Sequence, residues 1–325
     1  MRRHSLLIVA ALSLLVSAGP GAGAQAADKV YRLGVLSPSS GTIERYRAGM
    51  FPELAKLGFT EGKNLVVEVR YGSTEQLPAL ARDLVATRPA AVIAAGSAAI
   101  QAIRQEAASM PVIGAFIGMD PIAAGFAASL ARPGGMVTGI VMLAPELDAK
   151  RLQLLHEAVP DRSRVAVLAA DAQRDAVNLA AVKQAAGLAG VQLLPFYAAK
   201  PEAYAAAFAQ MRGAGAGALA ILSAPELFTD ASTLAALAVE AGLPTVCEWR
   251  LMAEQGCLIG YGPDRKELQR RVADYVARIL RGTAPGELPI ERPTHFEFAV
   301  NMKTAKALGL TLPPSILARA DEVIE

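Results

Sequence analysis

Hydroxyls and carboxylates that stand where apolar runs end are the residues of this chain with the chemistry to hold a small molecule. After the run 31–37 comes Ser37-Pro38-Ser39-Ser40, after 90–96 comes Gly96-Ser97, and after 111–117 comes Asp120-Pro121. Further along, Asp171-Ala172-Gln173, Ser223, Glu248-Trp249 and Tyr261 hold the same kind of position. A serine at a helix start presents its hydroxyl together with unpaired backbone N–H groups, which suits a carboxylate. Asp120 suits an ammonium group, and the two together suit a zwitterion such as a free amino acid. For Asp120 itself the residue types leave four roles open: general acid, metal ligand, ammonium clamp, or the N-cap of a helix entered through Pro121. Trp249, the single tryptophan, is either a platform for a ligand or a core-filling ring. Phe196 and Tyr197 read as core.

Catalytic and metal-binding patterns are missing at the sequence level. His156 and His295 have no His, Cys or carboxylate partner at a metal-ligand spacing such as HxxxH. Around Ser97 the flanking residues are Ala94 or Ala95 and Ala99, so the strand-to-helix nucleophile elbow GxSxG is not formed. No GxxxxGK[ST] occurs, and GAGAG (213–217) lies between a helix and a strand, the reverse of a dinucleotide loop, which makes it a connection. The sequence therefore offers ligand-binding candidates but no catalytic residue, no metal ligand and no cofactor.

The elements that position these residues follow from periodicity. Short Val/Ile/Ala runs alternate with longer amphipathic segments, the pattern of βα units around a parallel sheet. Strands are expected at 31–37, 64–71, 90–96, 111–117 and 138–143, and a second series at 164–170, 191–197, 217–224, 243–249 and 257–262. A long amphipathic helix is expected at 264–282, followed by an extended return through PGELPIERPTHFEFAVN. The fold class is thus α/β, with two doubly wound, Rossmann-like lobes joined by a hinge and a cleft at the carboxyl ends of the strands. Lobe 1 takes 27–142 plus about 264–290, and lobe 2 takes 143–263 plus about 291–325. Arg132-Pro133-Gly134-Gly135, Gly262-Pro263 and Pro285-Gly286 are hinge candidates, with ordinary turn chemistry as the alternative.

Length and composition fit this picture. A chain of 325 residues exceeds the size at which single cores stop growing, and 53% hydrophobic with 19% charged residues reads as globular. The first 26 residues, with Arg2, Arg3, an apolar run from Leu6 to Val16 and Ala24-Gln25-Ala26, read as a secretory signal cleaved after Ala26. The expected location is periplasmic. Without Arg2 and Arg3 the basic and acidic residues balance, which argues against a nucleic-acid surface. Cys247 and Cys257 can form a disulfide in an oxidising compartment or remain two small buried thiols.

SLARPGGMVTGI (129–140) following MDPIAAG, YGPD (261–264), PTHFEFAVNMKTAKALGL (293–310) and LPPSILARADEVIE (312–325) resemble the substrate-binding proteins of bacterial ABC importers, in the branch labelled tryptophan/tyrosine transport. The resemblance covers the mature chain and implies a type I periplasmic binding fold with three crossovers that closes around one small ligand. It implies an ABC permease and its ATPase as partners. Residue by residue it carries over only to Ser97 and Asp120. Relatives commonly have an Asn-Pro-rich loop where this chain has AADAQRDA (169–176), so ligand preference is expected to differ. The expected function is capture of a small amino-acid-like solute without chemistry. A ligand-presenting sensor module and, further behind, an exported hydrolase are the alternatives.

Overall fold

The computed structural model describes residues 29–142 and 144–325. The expected signal segment, 1–26, lies outside the described residues.

Two mostly parallel sheets organise the chain. The first contains β1 (Tyr31–Ser37), β2 (Leu65–Tyr71), β3 (Ala91–Ala95), β4 (Val112–Ile117), β5 (Val137–Val141) and, much later in the chain, β11 (Ile290–Glu291), in the order β11-β5-β4-β3-β1-β2. The second contains β6 (Arg164–Ala169), β7 (Gln192–Tyr197), β8 (Ala218–Ile221), β9 (Thr245–Cys247), β10 (Ile259–Pro263), β12 (Phe296–Asn301) and β13 (Glu322–Ile324), in the order β13-β12-β10-β9-β8-β6-β7. The central strands β3, β5 and β8 are buried along their whole length, which is why they read as unbroken Val/Ile/Ala runs. At the edge, β7 alternates between partly buried and exposed and accommodates Pro195, whose missing N–H an interior strand would not tolerate. Phe196 packs against the core, whereas Tyr197 is exposed on this edge strand rather than buried as expected.

The chain passes between the sheets three times. It leaves β5 for the helix Ala144–Ala158, which packs against β8, β9 and β10; it returns from β10 through the helix Arg265–Leu280, which packs on β3, β4 and β5; and it leaves β11 for β12, which runs antiparallel to β10. A buried cluster including Leu33, Met50, Ile93 and Val272 continues into residues of the second half such as Leu219, Leu234 and Trp249. Cys247 and Cys257 are joined by a disulfide that spans β9 and the approach to β10.

Two expectations change. Asp120-Pro121 opens a single turn, with Ala124 N donating to Asp120 O and Phe126 N to Pro121 O before Gly125, at φ +68°, turns the chain away. No helix follows. Gly286 and Gly134-Gly135 pack on each other: Gly134 N donates to Gly286 O at 3.1 Å, and a Cβ on Gly286 would lie 2.9 Å from Gly134 C. These joints pin each other within the first-sheet half. Gly262-Pro263, by contrast, ends β10 where the chain crosses over.

Candidate functional site

The loops at the carboxyl ends of the two sheets face one another, and the first helix after β1 contributes from one side. Ser37 is buried and serves the turn: its Oγ accepts from Ser39 N at 3.1 Å and bonds Thr42 Oγ1 at 2.7 Å. Ser40 is exposed at the start of the helix Gly41–Arg45. Ser39 Oγ reaches across to Thr229 Oγ1 of the other half at 2.8 Å. The helix then widens into a π turn, Tyr46–Met50, before resuming as Phe51–Lys56. Gly49 leaves room there for the Gln269 side chain of the helix Arg265–Leu280, whose Nε2 donates to Arg45 O; a Cβ would fall 1.8 Å from Gln269 Oε1 and push that side chain aside. Such π turns recur at functional sites. Here it presents Arg45 and Tyr46. The Tyr46 ring is 2% exposed, and its buried hydroxyl has no hydrogen-bond partner. Burial raises the Tyr46 pKa against the opposing pull of Arg265 and Arg45, so the hydroxyl stays neutral.

Gly96, at φ +83°, closes β3 in a conformation that L side chains avoid and starts the helix Ser97–Glu106. Ser97 Oγ at that helix start is also buried without a partner. One strand over, β4 carries one residue more than β5 between the pairs Gly114↔Gly139 and Ile117↔Val141, which is a β-bulge. Phe116 sits in that bulge at φ +62°, a strain of about 1–3 kcal/mol for an aromatic residue. Gly139 permits the close approach, since a Cβ there would lie 2.0 Å from Gly114 O. The bulge turns the Phe116 ring onto Trp249 of the other half, edge to face at 5.9 Å.

From the second half come Phe228 and Trp249, tilted at 6.1 Å, with Trp249 only 4% exposed. The Arg265 guanidinium lies over both rings, at 4.7 Å and 4.9 Å, and at 5.9 Å from Phe116. Arg45 stacks on Phe228 at 4.8 Å. Burial, with Arg45 adding to it, pushes the Arg265 pKa down to about 10, which leaves it charged at neutral pH. Glu248 is half-buried; burial raises its carboxyl pKa, while Arg151 and Arg265 pull the other way. Beneath it, Arg151 and Asp148 form a fully buried pair at 2.6 Å. Arg151 donates to Tyr261 O, Ser223 Oγ and Glu248 O, and Asp148 accepts from Asn178 and Ser223. This network ties the ends of β8, β9 and β10 together. Gly260 and Gly262 complete it, because a Cβ would meet Trp249 O at 2.4 Å or Glu248 O at 2.0 Å.

The candidates read from sequence divide accordingly. Ser39, Trp249 and Glu248 meet residues of both halves, and Ser97 and Gly96 stand at the same sheet end. Ser37 and Ser223 are internal supports. Five others do not join the cluster, the exposed Ser40 among them. Asp120 is exposed, with Oδ1 capping its own turn through Ile122 N and Ala123 N. Asp171 is likewise exposed and caps Gln173 N and Arg174 N, which lowers its pKa, and Gln173 is exposed beside it. The Tyr261 ring stacks on Phe296 at 6.0 Å and meets Phe298, so only its carbonyl serves the site. The cause is the strand period: the side chain of Tyr261 points to the opposite face from the one its position in the loop suggested. Sequence reasoning missed Arg45, Tyr46, Phe116, Phe228 and Arg265. For Arg265 a signal existed, an arginine opening a helix directly after YGPD. For Phe116 there was none, because the bulge depends on pairing with a strand 20 residues away.

Among the described residues no group of three or more His, Cys, Asp or Glu could hold a metal ion, and no helix is long and apolar enough to cross a membrane. The cluster gathers rings, guanidinium groups and hydroxyls between the two halves.

Comparison with known proteins gives this cluster a context. A sequence model of the family described as ABC transporter substrate binding protein matches residues 35–324. A tyrosine-binding protein of Clostridioides difficile is 19% identical over 275 residues, covering 83% of this chain and 78% of the relative. Two solved structures share the fold across 91% of this chain and 100% of theirs: a conserved domain protein from Vibrio cholerae, 24% identical with a TM-score of 0.81, and an ABC domain from Streptococcus pneumoniae in complex with L-Trp, 22% identical with a TM-score of 0.80. The fold is the type I periplasmic binding fold, as the sequence motifs implied.

Proposed function

We propose that this chain, which belongs to the ABC transporter substrate-binding protein family, captures a small amino-acid-like solute between its two lobes and delivers it to an ABC permease driven by its ATPase. Export to the periplasm with cleavage after Ala26, and lobe boundaries near 142, 264 and 291, belong to the same reading. The observation that carries it is the pair of buried, unpartnered hydroxyls, Tyr46 OH and Ser97 Oγ, at the sheet ends that face the second lobe. A buried hydroxyl without a partner destabilises the protein that holds it, so a ligand that accepts from it recovers that loss. A relative named for tyrosine and a fold neighbour holding L-Trp support an amino-acid-like ligand.

In this reading Ser39, Gly96, Ser97, Glu248 and Trp249 line the site, and Arg45, Tyr46, Phe116, Phe228 and Arg265 join them. Ligand binding biases an open–closed equilibrium by its differential affinity for the closed form. The test is thermal-shift and fluorescence titration of the mature protein against the free amino acids and small carboxylates. Trp249 is the single tryptophan, so its emission reports on the cleft alone. Saturable change in Trp249 emission together with a raised melting temperature is expected. A response to none of these compounds would refute capture of an amino-acid-like solute.

A further inference from the structure

Arg45 and Arg265 are the least explained groups in the chamber. Both guanidinium carbons lie within 4.8 Å of the Phe228 ring centroid, so they are less than about 10 Å apart. Each repels the other, and among the described residues neither forms an ion pair with a carboxylate. The other buried arginine of this region, Arg151, is matched by Asp148. Glu248 is the acidic group nearest in effect to Arg265, and it is shared with Arg151. Glu44 acts on Arg45, and Glu248 and Glu297 act on Arg265, only through space and not as ion-paired partners, so the two guanidinium groups keep donors to spare.

The rings carry a second clue. Phe116, Phe228 and Trp249 would accept a flat aromatic ligand if their faces were free. Instead Arg265 lies against all three, a stacking that restrains its planar fork while leaving the in-plane N–H donors free of the rings. A stacked guanidinium turns an aromatic wall into an anion site.

We propose that this cleft selects a solute bearing two carboxylates over a neutral aromatic zwitterion, with Arg45 and Arg265 each holding one carboxylate. Tyr46 OH and Ser97 Oγ supply neutral donors, and Glu248 takes an ammonium group where the solute has one. An acidic amino acid, with two carboxylates and one ammonium, then meets a partner for each of its charged groups. This inference rests on the solute-capture reading and narrows its ligand class.

The test is calorimetric titration, with Trp249 emission followed in parallel, using L-glutamate and glutarate against L-tyrosine and L-tryptophan. The two-carboxylate compounds are expected to bind at least about tenfold more tightly and to weaken as salt is raised. Arg45→Gln and Arg265→Gln are each expected to remove about tenfold or more of that affinity and to narrow the gap between the two-carboxylate compounds and the neutral zwitterions, which lose one carboxylate partner at most. The wild-type ranking decides the matter even where a variant fails to fold. Equal or tighter binding of L-tyrosine or L-tryptophan overturns the charge assignment and leaves solute capture standing. Heat of binding without any change in Trp249 emission overturns the location of the site, and no response to any of the four compounds overturns the proposal, while a response to another free amino acid would leave solute capture standing.

Discussion

Replacing Tyr46 by Phe separates folding from binding in opposite directions. The ring is 2% exposed and packs in the core cluster with Met50 and Leu54, so Phe keeps the volume and removes only an oxygen. That oxygen is buried and has no partner. An unsatisfied buried hydroxyl costs about 1–3 kcal/mol, and relieving even about 1 kcal/mol of it raises the melting temperature of a protein of this size by about 1–2 °C. The ligand loses a donor in return. A hydrogen bond to a charged group contributes about 1.5–3 kcal/mol, which is a loss of about ten- to a hundredfold in affinity. Differential scanning calorimetry of the ligand-free protein gives the first number, and Trp249 fluorescence titration gives the second. Tyr204→Phe is the control, because the Tyr204 hydroxyl donates to Asp230 at 2.7 Å and its removal is expected to lower the melting temperature. A Tyr46→Phe protein that melts lower than wild type and binds equally well would refute the reasoning, since the hydroxyl would then have a partner within the protein and none in the ligand.

Two other perturbations bear on the frame of the site. Gly139→Ala places a Cβ 2.0 Å from Gly114 O at φ +140°, so urea denaturation is expected to show a loss of about 2 kcal/mol or more, with the Phe116 bulge disturbed. Glu267, buried at the start of the helix Arg265–Leu280, accepts from Arg271 at 2.5 Å and contacts His295 Nδ1 at 2.8 Å. Burial alone would raise its pKa, but the His295 and Arg271 hydrogen bonds outweigh it and hold the pKa below 4.5. A carboxylate whose pKa is lowered on folding contributes stability that is complete above the unfolded pKa and lost as the pH falls through the folded one. Acid titration of stability should therefore fall less steeply below about pH 4.5 in Glu267→Gln than in wild type, and an unchanged slope removes Glu267 from the acid response.

Strand positions were legible in the sequence because buried parallel strands need unbroken apolar runs, and 31–37, 164–170 and the helix at 264–282 each lie within two residues of the observed elements. The short edge strands β11 and β13 were not, because two or three residues carry no period. Within the site, Ser97 and Trp249 could be found by their place at the end of a run. Arg45 and Tyr46 could not, since they stand at the junction of a helix and a π turn, and no residue pattern marks that change of winding. Asp120 misled for a physical reason: Asp-Pro is an equally good start for one turn and for a whole helix, and Gly125 decided in favour of the turn.

The glycines that allow backbone to cross backbone around the chamber have a further consequence for its history. Gly139, Gly260 and Gly262 fix where Phe116, Glu248 and Trp249 stand, and none of the three tolerates a larger residue without moving main chain. Arg45 and Arg265 reach the cluster through long side chains with no backbone crossing to preserve. Descendants of this chain are therefore free to exchange one solute for another by altering a few projecting side chains, while the frame that shapes the chamber is inherited unchanged.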